Sequence, residues 1–327
     1  MQHFRARMKL LSVFSALMTS TFATNVSTVY QFPNGTWAEN IATMGNGSLL
    51  VTTLDTAQVL IVHPQGSPAS SSVIATFPNA TGALGIAEFQ EDVFAVIVAK
   101  LVPGNATNPQ SFSLWKVDVT AKDEGVKVSK MSELPDMAMP NGMAALNHEM
   151  LLLADSTYGN IAAYNVSTGK TEVVLEDPSL AANLSAPGLQ LGANGIKFHN
   201  DYVYYTNTAQ ALAGRVRVHP STGRPNGFFE TARDSTFSAP DDFAVAKDGS
   251  MYVCAPLAAP LGDKIHHIEL NGKVTTIAEG GLVAGSTSST FGRTEKDNST
   301  LYVSTMGGFG TDGTAKAGGR VVAVKLH

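Results

Sequence analysis

The chain has 327 residues, 44% of them apolar, with a net charge of −5 and a pI near 5.9. That is enough apolar mass for a large core, and all-β rings of this length are commonly one domain. No basic stripe is present, which argues against nucleic acid as a partner.

The first expected element is a leader. Arg5, Arg7 and Lys9 make a basic start, Leu10 to Phe22 is an apolar stretch too short to span a bilayer, and Thr21-Phe22-Ala23 has small residues where a signal peptidase needs them. Residues 1–23 are therefore read as a signal peptide, residues 24–327 as one mature domain, and the destination as the secretory pathway. No other stretch is suited to cross a membrane. Eight of the 18 Asn residues sit in N-x-S/T sequons: Asn25, Asn34, Asn46, Asn79, Asn105, Asn165, Asn183 and Asn298. Chance predicts roughly three such sites, so the excess predicts a secreted glycoprotein. Cys254 is the only cysteine, which rules out an internal disulfide.

Apolar strand starts follow at Leu49, Val93, Met150, Tyr202, Met251 and Leu301, at intervals of 44, 57, 52, 49 and 50 residues. Short β-rich segments at that period predict a six-bladed β-propeller. Hairpin signals punctuate the later strands: Ser167-Thr168-Gly169, Ser221-Thr222-Gly223 and Asn271-Gly272. The strand Val26 to Phe32 has no hairpin partner of its own. It is expected to pair with Arg320 to Leu326 in the last blade and close the ring. The longest insertion falls in the second blade, at residues 102–109 and 122–140.

One polar residue precedes the apolar strand in four of the repeats, in register: Glu39, Asn141, Asn194 and Asp241. The two remaining repeats match with Leu84 and Ser289. Equivalent positions of a ring face the same axis, so two carboxylates and two amides are expected to converge there. Oxygen donors of that kind suit a hard divalent cation such as Ca²⁺. Taken singly, Asn141-Gly142 and Asn194-Gly195 read as ordinary turn dipeptides, and Asp242 competes with Asp241 for the inward place.

The chain resembles the SMP-30/gluconolactonase/LRE-like six-bladed propellers over essentially its whole mature length. The resemblance rests on Asn194-Gly-Ile-Lys-Phe with Tyr202-Val-Tyr-Tyr-Thr-Asn, and on Pro240-Asp-Asp-Phe-Ala-Val-Ala-Lys-Asp-Gly-Ser-Met-Tyr-Val. It implies that Glu39, Asn141, Asn194 and Asp241 take the family's metal-ligand places. Two departures stand out: the family's Glu-Gly-Pro is Glu39-Asn40-Ile41 here, and its Asp-Gly is Asp241-Asp242. Trp37-Ala-Glu-Asn-Ile-Ala, Ala83-Leu-Gly-Ile-Ala-Glu, Asp241-Asp-Phe-Ala, Phe291-Gly-Arg-Thr and Leu301-Tyr-Val-Ser-Thr-Met-Gly-Gly resemble a secreted fungal branch of this superfamily. That branch includes hetero-Diels–Alderases that join a tropolone quinone methide to a humulene-type sesquiterpene.

Three functions are carried forward. A biosynthetic cyclase would hold two apolar reactants in a funnel, with Tyr158, Tyr205, Phe291 and His266 as candidate contacts. A Ca²⁺-dependent lactonase or esterase would use the cation to polarise a carbonyl, with Asp241, Asp242 or His266 as base or nucleophile. A non-catalytic binding propeller would use its faces. Small-molecule partners, no redox cofactor and a monomer or weak dimer are expected in the enzymatic readings.

Overall fold

A computed structural model of the protein describes residues 25–100, 111–121, 125–185, 189–234, 237–257, 263–308 and 317–326. The expected leader, the sequon at Asn105 and the first part of the expected insertion, residues 102–109, lie outside these residues, whereas its second part, residues 122–140, holds the fourth strand of blade two, Lys127–Glu133, rather than an insertion. The described residues form six four-stranded antiparallel sheets, the blades, and one 3-10 turn at Gly281–Val283 is the only helical element among them. No helix among them is long and apolar enough to cross a membrane.

Each blade begins on an inner strand. In order these are Ala38–Thr43, Gly82–Gln90, Pro140–Asn147, Ala193–His199, Phe243–Val245 and Ser286–Phe291. Second strands begin at Leu49, Val93, Met150, Tyr202 and Met251, as the apolar starts predict, and at Thr300, one residue ahead of Leu301. In the sixth blade the order from the axis outward is Ser286–Phe291, Thr300–Thr305, Arg320–Lys325 and Asn25–Gln31. The N-terminal strand is thus the outer strand of the last blade, in antiparallel register from Asn25↔Lys325 to Gln31↔Arg320. This is the expected closure.

Apolar side chains gather into six clusters, one at each interface between neighbouring blades. Between blades three and four, for example, Leu152, Ile161 and Leu175 meet Ile196, Val203 and Val216, all essentially buried. The second strands of the blades are covered on both faces. That is why they read as apolar runs such as Met150-Leu-Leu-Leu rather than as alternating strands.

Candidate functional site

The polar register has a backbone cause. In blade one, Ala38 pairs with Thr53 and Ile41 with Val51, so Glu39 and Asn40 together oppose the single residue Thr52. The same two-against-one bulge recurs as Leu84-Gly85, Asn141-Gly142 and Asn194-Gly195 in blades two to four. In blade five, Asp241 N–H donates to the Cys254 carbonyl at 2.8 Å and Cys254 N–H to the Asp242 carbonyl at 3.0 Å, which sets Asp241-Asp242 against Cys254 alone. In blade six, the pairs Ser286↔Thr305 and Ser288↔Ser304 put Thr287 in the slot. A bulge re-aims the side chain it carries. The ring at this level is therefore Glu39, Leu84, Asn141, Asn194, Asp241 and Thr287.

Two readings are corrected here. Asn141-Gly142 and Asn194-Gly195 are bulges inside inner strands, not turns. The sixth-blade slot holds Thr287 rather than Ser289; the run Ser286 to Ser289 is all small hydroxyl residues and offers no apolar landmark to fix its register. The glycines serve close approach. A Cβ on Gly142 would lie 2.2 Å from the Asn194 carbonyl oxygen, and one on Gly195 would lie 2.5 Å from Asp242 Oδ1 and 2.7 Å from Asp242 Cα. Neighbouring inner strands therefore touch backbone to backbone.

Hydroxyls opposite the bulges stitch this level together. Thr52 Oγ1 donates to the Leu84 carbonyl at 2.8 Å, Thr206 Oγ1 to the Asp241 carbonyl at 2.5 Å and Ser304 Oγ to the Glu39 carbonyl at 2.9 Å. Each bond runs from one blade to the bulge of the next.

Glu39 is buried at 6% exposure, and Trp37 Nε1 donates to its Oε2 at 2.7 Å. Burial pushes its carboxyl up to about 7, the Trp37 bond opposes this, and the Asp242 charge adds to it. Asp241 is held well above the usual carboxylate range by burial and by the charges of Glu39 and Asp242, against the Asn194 hydrogen bond and the Lys197 charge. Asn194 Nδ2 donates to Thr208 Oγ1 at 2.9 Å. Asn141 is buried at 4% exposure, and its Oδ1 has no hydrogen-bond partner.

Asp242 behaves differently from its neighbour. Lys197 Nζ lies 2.7 and 2.6 Å from its two carboxylate oxygens, and Ser288 Oγ donates to Oδ2 at 2.7 Å. Three carboxylates and one ammonium leave a formal charge of −2 at the axis when all are ionised.

Among the described residues no three His, Cys, Asp or Glu side chains form a group that could hold a metal ion alone. The wider donor set fits a hard dication through mixed ligands: the two carboxylates of Glu39 and Asp241, the unpartnered amide oxygen of Asn141, and Asn194. Asn141 Oδ1, a buried amide oxygen without a hydrogen-bond partner at the same register position as Glu39 and Asp241, is the feature such an ion would satisfy.

The other expected contacts do not join this cluster. Tyr205 is fully buried in the core between blades three and four, and its hydroxyl lies 2.5 Å from Ser179 Oγ. Burial pushes that phenol up to about 12. His266 is buried in the third strand of blade five, edge-on to Phe237 at 5.2 Å, and burial lowers it to about 4. Phe291 pairs with Leu301, at the opposite end of its strand from the bulge. Tyr158, 62% exposed, follows the second strand of blade three, so it shares the axial cluster's face of the disc. Sequence reasoning missed the roles of Trp37, which meets Glu39 two residues away, and of Lys197 and Ser288, which reach Asp242 from neighbouring blades 45 and 46 residues away.

The fold and this level define the protein as a six-bladed propeller with an acid–amide cluster at its axis. The chain is 27% identical to "Putative hetero-Diels-Alderase asR5" of Sarocladium schorii over 313 residues, covering 84% of this chain and 76% of that protein. It is 25% identical to "Putative hetero-Diels-Alderase" of a Phoma species, covering 84% and 85%. Regucalcin of Agrobacterium tumefaciens, described as a calcium-binding protein, shares the fold with a TM-score of 0.63 at 17% identity, covering 93% of this chain and 96% of that one. No protein-family model matches the chain. The resemblance read from the motifs thus extends over most of the chain.

Proposed function

We propose that this chain is a biosynthetic cyclase of the hetero-Diels–Alder type, acting on a tropolone quinone methide and a humulene-type sesquiterpene. The observation that carries the reading is the 27% identity to a protein of that name across 84% of the chain. In such a cycloaddition one C–C and one C–O bond form together from existing π electrons. No proton or electron is gained or lost, so the protein needs neither nucleophile nor redox partner. Its task is to desolvate two reactants and hold them in a reactive pose, which lowers the barrier by several kcal/mol.

The reactants are assigned to the face that carries the axial cluster. Loops following the second strands border this face, because those strands end where Ala38, Pro140 and Ala193 pair with Thr53, Asp155 and Asn207. A carbonyl oxygen of the heterodiene gains negative character in the transition state. A cation held at Glu39, Asn141, Asn194 and Asp241 would supply Lewis-acid polarisation at such an oxygen. Without it, Lys197, paired with Asp242 and 26% exposed along its side chain, offers an ammonium N–H to such an oxygen at the same level.

A second reading, a Ca²⁺-dependent lactonase, is favoured by the buried and unpartnered Asn141 Oδ1 at the register position that Glu39 and Asp241 occupy in their blades. One experiment separates the two. The purified protein is incubated with the quinone methide precursor and humulenol, and separately with a lactone panel, each with and without chelator. The cyclase reading expects a stereoisomer ratio different from the spontaneous one. A ratio equal to the uncatalysed reaction, with chelator-sensitive lactone hydrolysis, replaces it with the second reading.

A further inference from the structure

We propose that the cleft between blades five and six, on the face away from the axial cluster, seats the first sugars of an N-linked glycan carried by Asn298. The cleft has a volume of about 650 Å³, within the range of small-molecule sites, and its walls include Tyr252, Phe291, Ser250, Arg293 and Asn298 itself. Two aromatic rings line it. Tyr252 and Phe291 meet edge to face at 5.5 Å, and Tyr252 is stacked on His267 at 4.6 Å, which fixes its ring. A pyranose has one face of C–H bonds that packs on such rings, and a rim of hydroxyls that needs polar partners. Arg293, exposed and with N–H donors beyond the Nη1 it gives to the Thr43 carbonyl and Glu88, provides those at the wall together with exposed Lys247 and Asp248.

Asn298 is exposed, and it opens the sequon Asn298-Ser299-Thr300. The turn that presents it is rigid. Asp297 accepts from Thr294 N–H at 2.8 Å, Thr294 Oγ1 at 2.7 Å and the Tyr302 hydroxyl at 3.1 Å, while Thr300 N–H donates to the Asp297 carbonyl at 2.8 Å. Thr300 is buried at 6% exposure, so a transferase reads this sequon only before blade six folds. The glycan is then present when the blades pack, attached at the rim of an aromatic cleft. The occupant is named by its tether: no free sugar has to find the site. This inference is independent of the reaction proposed above, and it rests on passage of the chain through a compartment that glycosylates it.

The test uses the full chain secreted from a eukaryotic host. Site-resolved mass spectrometry should find Asn298 occupied. Release of its glycan from the native protein by a peptide amidase should be about tenfold slower than from Tyr252→Ser, the effect expected of modest docking, while release from exposed Asn46 is the same in both. Hydrogen exchange over residues 245–252 should rise in Asn298→Gln. An unmodified Asn298 overturns the proposal, and so does equal release from both proteins. If Tyr252→Ser does not fold, the exchange comparison decides: unchanged exchange in Asn298→Gln overturns it.

Discussion

Glu39 is buried with an indole N–H, rather than a cation, as its hydrogen-bond partner. Its carboxyl is raised to about 7 from 4.5, so the folded state favours the protonated form. A raised acid contributes its stability below the unfolded value and loses it as pH rises through the folded one. In cation-free protein, stability should therefore fall by about 3 kcal/mol between roughly pH 4.5 and 7, with Asp241 adding in the same direction. Denaturant midpoints across that range measure it. Glu39→Gln should flatten the slope, and Ca²⁺ at neutral pH should restore what is lost; a slope unchanged by Glu39→Gln would remove Glu39 as its source. The residues Glu39, Asn141, Asn194 and Asp241 were legible in the sequence because they repeat. Lys197 and Ser288 were not: the first looks like any surface lysine after an Asn-Gly, and the second is one of five consecutive hydroxyl residues. Asp242 showed itself only as a departure from Asp-Gly. Its carboxylate fills space that glycine leaves elsewhere in the ring, and it is tied to Lys197 and Ser288.

At the scale of the strand, the bulge is the unit that matters. It explains why an Asn-Gly pair, normally turn chemistry, sits within Pro140–Asn147 and Ala193–His199. Strand starts were legible from apolar runs, whereas the bulge was not, since inserting one residue leaves the composition of a strand unchanged. The same limit explains Tyr205 and Phe291. Nothing in a short aromatic-bearing strand says which blade face, or which end of the disc, a given ring takes. Gly142→Ala tests the close approach. Its methyl would meet the Asn194 carbonyl at 2.2 Å, so it should cost about 3 kcal/mol as overpacking. Gly45→Ala, where nothing lies within 4 Å, is the control and should be neutral. Urea midpoints of the two variants give the comparison, and equal midpoints would show that the inner strands part freely.

For the whole molecule, the six-fold period, the blade count and the closing strand were all legible, because each follows from counting strands and finding one left over. Closure predicts that a chain starting at Phe32 bares the edge of Arg320–Lys325 along its full length. Such a chain should lose its sharp thermal transition and associate in size-exclusion chromatography, whereas one starting at Asn25 should stay cooperative. Only the second outcome for both chains would make the N-terminal strand dispensable. The seam also orders events at synthesis. Of the described strands, the one made first must wait for the one made last, so the disc stays open until Val324 has left the ribosome, and any companion that shields Asn25–Gln31 in the interval guards the closing of the ring.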